Sequence, residues 1–219
     1  MDLLVPPSLL FDYRLRIPQC SGPLSGTKGR LLKLPESSQL FIPSRLNEQP
    51  VFASVRAAWN TDGFALSVNV SGKPAPPSGV SADLVRSDCL LVWMDLRPAG
   101  NVHRATEYCH HLVFLPVDEH QDGGPSVVVQ PIAQQRARRG ETDPGKIKCR
   151  THTRNDGYEL EIWIPGSQLY GFRDISELGR IGFCCVVQDM DLGEQPLSLG
   201  REFPIGFDPS TWPQLELTS

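Results

Sequence analysis

VFASVRAAWN (51–60) runs directly into TDGFALSVNV (61–70), and these twenty residues decide the fold. Val51, Ala53, Val55, Ala57 and Trp59 alternate with Phe52, Ser54, Arg56 and Ala58. Phe64, Leu66, Val68 and Val70 then alternate with Ala65, Ser67 and Asn69. Side chains of an extended strand change face at every residue, so each run turns one apolar face inward. Asn60-Thr61-Asp62-Gly63 between the runs is a turn signal. The stretch therefore reads as a β-hairpin with Trp59 in the core.

A second hairpin shows the same alternation. Ile147, Cys149, Thr151 and Thr153 alternate with Lys146, Lys148, Arg150, His152 and Arg154, so one face is strongly basic. Asn155-Asp156-Gly157 is the turn. Tyr158, Leu160, Ile162 and Ile164 follow on one face, opposite Glu159, Glu161 and Trp163, until Pro165 ends the strand. The basic row and the two glutamates are expected to offset each other across the sheet.

Ser87–Leu96 (SDCLLVWMDL) is apolar on both faces and suits a central strand. Residues 112–115, 127–130 and 182–187 are further strands. Residues 102–111 read ambiguously, 133–145 as an exposed loop or a helical turn, and 166–172 and 174–178 as short helical turns or loops. No strand–long helix–strand rhythm appears, which excludes a parallel α/β fold. The expected architecture is all-β: a two-sheet antiparallel β-sandwich, jelly-roll-like, with short helical turns in loops. Residues 1–219 make a single domain. Within it, 1–50 are an irregular lead-in wrapping the body or adding edge strands, 51–190 the sandwich core, and 191–219 a Pro-containing tail whose Trp212 packs back.

A chain of 219 residues with 40% apolar and 21% charged residues suits one packed domain. The formal charge of -4 implies no general affinity for polyanions. The basic stretch Arg136, Arg138, Arg139, Lys146, Lys148, Arg150 and Arg154 lacks the interleaved aromatics that stack bases, so nucleic acid is not an expected partner. Six cysteines at 20, 89, 109, 149, 184 and 185 form no C-x-x-C pair, and four lie in apolar or strand-like runs. Buried thiols in a reducing, cytoplasmic compartment are expected. No basic leader and no 18-residue apolar run stands in the sequence, so neither secretion nor a membrane partner is expected.

Four groupings have the chemistry of a site. His103, Glu107, His110 and His111, with Asp118, Glu119 and His120 close by, are the right ligand types for a transition metal. His110 and His111 point to opposite faces if extended, which spoils their convergence. Asp88, Asp95, Asp189 and Asp191 flank strands and suit calcium, which needs several converging oxygens. Glu159 and Glu161 have a spacing close to that of a retaining glycosidase pair, although beside a basic strand they offer no evident proton donor. Met94 with a nearby His has the elements of haem ligation, but Met94 is more simply core packing. No nucleophile elbow or other complete catalytic motif is present, and enzymatic activity is not expected.

The tryptophans point elsewhere. Trp163 lies opposite the core-facing set of its strand, and a Trp beside polar groups is a natural sugar platform. Trp163, Glu161, Arg150 and His152 are the first candidate ligand contacts. Trp93 joins them, although its run is apolar on both faces and leaves its side open.

Several pieces together resemble the family 9 carbohydrate-binding modules, within the wider DOMON-like sandwiches. They are Ala58–Val68 (AWNTDGFALSV), Ser87–Asp95 (SDCLLVWMD), Gly157–Pro165 (GYELEIWIP), and Leu178–Phe183 (LGRIGF) followed by Asp189. The match spans about residues 50–190. The resemblance implies a sandwich of two antiparallel sheets, sugar chain ends held between two tryptophans, and calcium as a structural ion. Asp88 and Asp95 would match the strand carboxylates, Glu161 the glutamate of the third motif, and Asp189 the late aspartate.

The leading expectation is a non-catalytic binding domain for a carbohydrate or other small polar ligand on an aromatic-lined surface. The alternative is a cytoplasmic structural or protein-interaction domain lacking a sugar site, with a protein as partner. The third is a metal-dependent protein using His103–His111.

Overall fold

The computed structural model describes residues 5–11, 13–20, 29–137 and 140–218. Arg138 and Arg139 of the basic stretch lie outside the described residues. Eleven strands are found among those described: β1 (Arg14–Pro18), β2 (Ala53–Asn60), β3 (Gly63–Ser71), β4 (Cys89–Asp95), β5 (Cys109–Leu115), β6 (Ser126–Gln130), β7 (Lys148–Arg154), β8 (Gly157–Pro165), β9 (Arg180–Asp189), β10 (Gly193–Pro196) and β11 (Gln214–Thr218). Helical structure among the described residues is limited to short 3-10 turns and one α-helical turn, α1 (Ile175–Leu178).

The strands form two sheets. One has four strands in the order β2-β3-β8-β7. The other has seven, in the order β1-β11-β9-β4-β5-β6, with β10 also paired to β9. All described ladders between these strands are antiparallel except β1 with β11, which run parallel. The large sheet thus extends beyond residues 51–190: a strand from the lead-in and two from the tail belong to it.

Both hairpins form as their periodicity requires. In the first, Asn60 pairs with Gly63, and the Asn60 side-chain carbonyl accepts from the N–H groups of Asp62 (2.8 Å) and Gly63 (3.1 Å). Gly63 is required for a further reason: a Cβ there would sit 2.3 Å from the Ile164 carbonyl oxygen. The outer edge of β2 is protected, because Leu40 N–H donates to Val55 O and Cys20 N–H to Trp59 O.

The apolar faces of both sheets meet in the main core. Val55, Trp59, Phe64, Leu66, Leu160 and Ile162 from the small sheet pack on Val92, Met94, Phe114, Phe183 and Val187 from the large one. The large sheet is buried on its second face as well. There Cys89, Leu91, Trp93, Val113, Cys184 and Val186 are covered by Leu199, Ile205 and Trp212. This explains the unbroken apolar run of β4: it is central, between β5 and β9, with both faces covered. Cys89, Cys109, Cys184 and Cys185 are buried, and all six thiols are free. Burial pushes the thiols of Cys89, Cys109 and Cys184 up to about 12, which makes them inert packing rather than nucleophiles. Among the described residues, the small sheet leaves a polar face outward.

Candidate functional site

That outward face is built by strand phase alone. With Leu66, Val68, Leu160 and Ile162 committed to the core, Ser67, Asn69, Glu159, Glu161 and Trp163 must point out, joined by Arg56 from β2 and by Lys148, Arg150, His152 and Arg154 from β7. The β7–β8 register sets Lys148 opposite Trp163, Arg150 opposite Glu161 and His152 opposite Glu159. Four sequence candidates, Trp163, Glu161, Arg150 and His152, therefore stand as neighbours on one face.

A strap of chain, residues 29–34, lies over this face. The Leu31 N–H donates to Glu161 Oε2 at 2.8 Å, and His152 Nε2 lies 3.2 Å from the same oxygen. Arg30 bonds Glu159 through Nη1 and lies 3.6 Å from Glu161 Oε1. The strap also packs Leu31, Leu32 and Leu34 with Ala65 and Trp163, so Trp163 is half-buried rather than open. Glu161 is 2% exposed, and a carboxylate so deeply placed needs these donors. The sequence expectation that the basic row offsets the glutamates holds only in part. His152 takes Glu161, but Arg30 from the strap takes Glu159, and Arg150 forms no ion pair among the described residues.

Among the described residues, two openings large enough for a small ligand flank the strap. A polar one of about 520 Å³ runs between Arg30, Arg56, Asn69, Arg154 and Glu159. A larger cleft of about 810 Å³ lies on the β7 side, walled by Arg30, Leu31, Val127, Ile147, Lys148 and Arg150. Both fall in the usual size range of small-ligand sites.

The calcium expectation meets a different arrangement. Asp88 and Asp189 do come together, with Asp191, but around the ammonium of Lys73. Lys73 Nζ lies 3.1 Å from Asp88 Oδ2, 3.0 Å from Asp189 Oδ1 and 2.6 Å from Asp191 Oδ2. Lys73 is 2% exposed. Burial opposes its charge, yet the hydrogen bonds to Asp191, Asp189 and Asp88 outweigh that and push the ammonium above its ordinary value. Asp88 also accepts from Ser78 N–H and Met190 N–H, and Asp189 from Asp191 N–H and Leu192 N–H. Asp95 is not part of this cluster. It lies at the other end of β4, and seven residues at about 3.3 Å each put it roughly 23 Å from Asp88. The set Asp88, Asp95 and Asp189 thus cannot hold one ion, and the place where Asp88 and Asp189 converge is filled by the protein's own cation. These residues do not fit a calcium site. Asp95 instead accepts from Arg97 N–H, and desolvation by its burial raises its carboxyl.

Trp93 also lies away from the open face. It is 4% exposed, stacks on His111 with ring centroids 4.5 Å apart, and lies under the tail with Trp212. It is on the outer face of the large sheet, not on the open polar face. His110 and His111 do point to opposite faces of β5: His111 meets Trp93, while His110 is buried with Nε2 3.3 Å from Tyr170 O. His103 pairs with Asp208 at the surface, 3.1 Å away. No group of three or more His, Cys, Asp or Glu among the described residues is arranged to hold a metal ion. Asp118 caps a 3-10 turn, accepting from Ser81 and His120 N–H groups. Burial alone would raise its carboxyl; bonds from Ser126, Ser81 and His120 prevail and hold it below the usual range. Met94 is fully buried between the sheets.

The sequence missed Arg30 and Lys73. Each lies in an irregular segment, where no period assigns a direction.

No protein-family model and no curated protein matches the chain. Solved structures do. One is a family 9 carbohydrate-binding module from Caldicellulosiruptor kristjanssonii in complex with cellotriose, 13% identical, with a TM-score of 0.60 over 94% of this chain and 94% of that one. Another, a family 9 module from the same organism in complex with glucose, is 13% identical with a TM-score of 0.63 over 94% and 96%. This chain has the fold of the family 9 modules, as its sequence motifs imply.

Proposed function

We propose that the protein is a non-catalytic carbohydrate-binding domain and that the outward face of the small sheet, with the openings beside the strap, is its ligand surface. The observation that carries this reading is the convergence of Trp163, Glu161, Arg150 and His152 on one outward sheet face, in a fold whose solved neighbours hold cellotriose and glucose. Arg150 and His152 are donors for sugar hydroxyls, and Glu159 with Asn69 are acceptors. Trp163 supplies the aromatic element. Glu159 and Glu161 are engaged by Arg30, His152 and Leu31, which supports holding a ligand rather than cleaving one.

A glycan-array screen with and without calcium tests the reading, followed by His152→Ala and Trp163→Ala on any hit. The expected result is sugar binding that does not depend on calcium and weakens in both variants. Absence of binding across a broad panel of neutral and charged glycans refutes it. One observation favours a protein-interaction domain instead: the strap packs over Trp163. That alternative requires an empty glycan array and a protein partner whose binding survives His152→Ala.

A further inference from the structure

The ion pairs on the outward face leave one part of it with uncompensated positive charge. Arg30 is committed to Glu159 and Glu161, and His152 to Glu161. Lys148 and Arg150 have no carboxylate partner among the described residues, although the ladder sets Arg150 directly opposite Glu161. Both are exposed, and both line the 810 Å³ cleft together with Arg30. No Asp or Glu lines it among the described residues. On a chain with 25 acidic and 21 basic residues, two uncompensated cations, Lys148 and Arg150, in one cleft make a local field of the opposite sign to the whole. The rest of the wall has a second character: Leu31, Val127, Ile147 and Cys149 are apolar.

A ligand matching both must carry a negative charge and an apolar face. A pyranose ring with a carboxylate on it has both: its C–H face covers the aliphatic wall, and its carboxylate meets the guanidinium in a two-bond geometry. We infer that the cleft binds acidic carbohydrate, a uronic-acid residue whose carboxylate sits on Arg150 and Lys148. This inference rests on the carbohydrate-binding reading above and assigns its ligand class. Arg30, held by two glutamates, acts as a fixed wall between the acidic subsite and the polar opening beyond it.

Calorimetric titration of the full chain with trigalacturonate, cellotriose and inorganic phosphate tests it. At about 50 mM salt, trigalacturonate should bind at least about tenfold tighter than cellotriose, and the preference should shrink at about 300 mM as exposed charges are screened. The double variant Lys148→Ala/Arg150→Ala should bring the ratio of the two affinities close to one. Both side chains are exposed, so the variant should melt like the parent; should it not, Lys148→Gln/Arg150→Gln replaces it. Equal affinity for the two sugars, or a preference that survives the double variant, overturns the inference and leaves the carbohydrate reading standing. Phosphate competing as strongly as trigalacturonate makes the cleft a simple anion site and also overturns it. Failure of trigalacturonate to bind overturns the inference, whereas the carbohydrate reading itself falls only with an empty glycan array.

Discussion

Replacing Lys73 by Met removes one charge while keeping an unbranched stem of similar length. In the folded protein the Lys73 side chain is 1% exposed and its ammonium touches three carboxylates, on two aspartate side chains that are 0% exposed and one that is 34% exposed. The cluster has a formal charge of -2 with Lys73 and -3 without it. Removing one partner of a buried ion pair costs about 3–5 kcal/mol, because the charge left behind is neither solvated nor matched. The backbone N–H groups on Asp88 and Asp189 reduce that loss without cancelling it, so the lower half of the range is expected. Total stabilities of about 5–15 kcal/mol make this a large fraction. In a domain of this size it corresponds to a fall in Tm of about 6–16 °C. Urea unfolding followed by tryptophan fluorescence, with Tm by calorimetry, measures it. Calcium at millimolar concentration should leave the parent's Tm unchanged, since its converging carboxylates already hold a cation. A loss below about 1 kcal/mol in Lys73→Met, the level of an exposed pair, refutes the reasoning. So does a parent stabilised by calcium.

Two further outcomes follow from the geometry. Asp118→Ala should cost about 1 kcal/mol at pH 7, as the loss of a cap does. Because its folded carboxyl is held below the ordinary value near 4, that stabilisation is present above about pH 4 and lost as the pH falls through the folded value. The gap between parent and variant, measured by urea unfolding at successive pH values, should therefore close in acid; a gap that widens there contradicts the assignment. Arg30→Ala should lower global stability by no more than about 1 kcal/mol, since its pair with Glu159 is partly exposed. It should nonetheless speed limited proteolysis within residues 29–34; unchanged cleavage would show that the arginine does not anchor the strap.

The parts legible in the sequence are those where alternation has a phase. Ala53–Ser71 and Lys148–Pro165 alternate cleanly, so their strands, their hairpin pairing and the outward direction of Trp163, Glu161 and Arg150 could all be read. The β4 run shows why phase can fail. With both faces buried, Leu91 and Trp93 look no different from Leu90 and Val92, and nothing local tells which side holds the tryptophan. The parallel pairing of β1 with β11 joins segments about two hundred residues apart, each short and weakly patterned, so no neighbouring residue announces it. Lys73 was hidden in a Pro-rich loop, where composition signals exposure. Only the fold, bringing the ends of β4 and β9 beside that loop, reveals that its charge is buried. Arg30 was hidden for the same reason, and it decides which cations on the outward face remain uncompensated.

The most direct test of the carbohydrate-binding face is a chemical-shift titration of the isotopically labelled protein with cellotriose and trigalacturonate. The expected result is a set of shifted backbone amides confined to the small sheet, the facing edge of β6 and residues 29–34, with the largest changes around Arg150 and His152 for the acidic sugar. Saturable shifts centred on β5, the Trp93 side of the large sheet or the C-terminal tail, with β7 and β8 unmoved, would contradict the account.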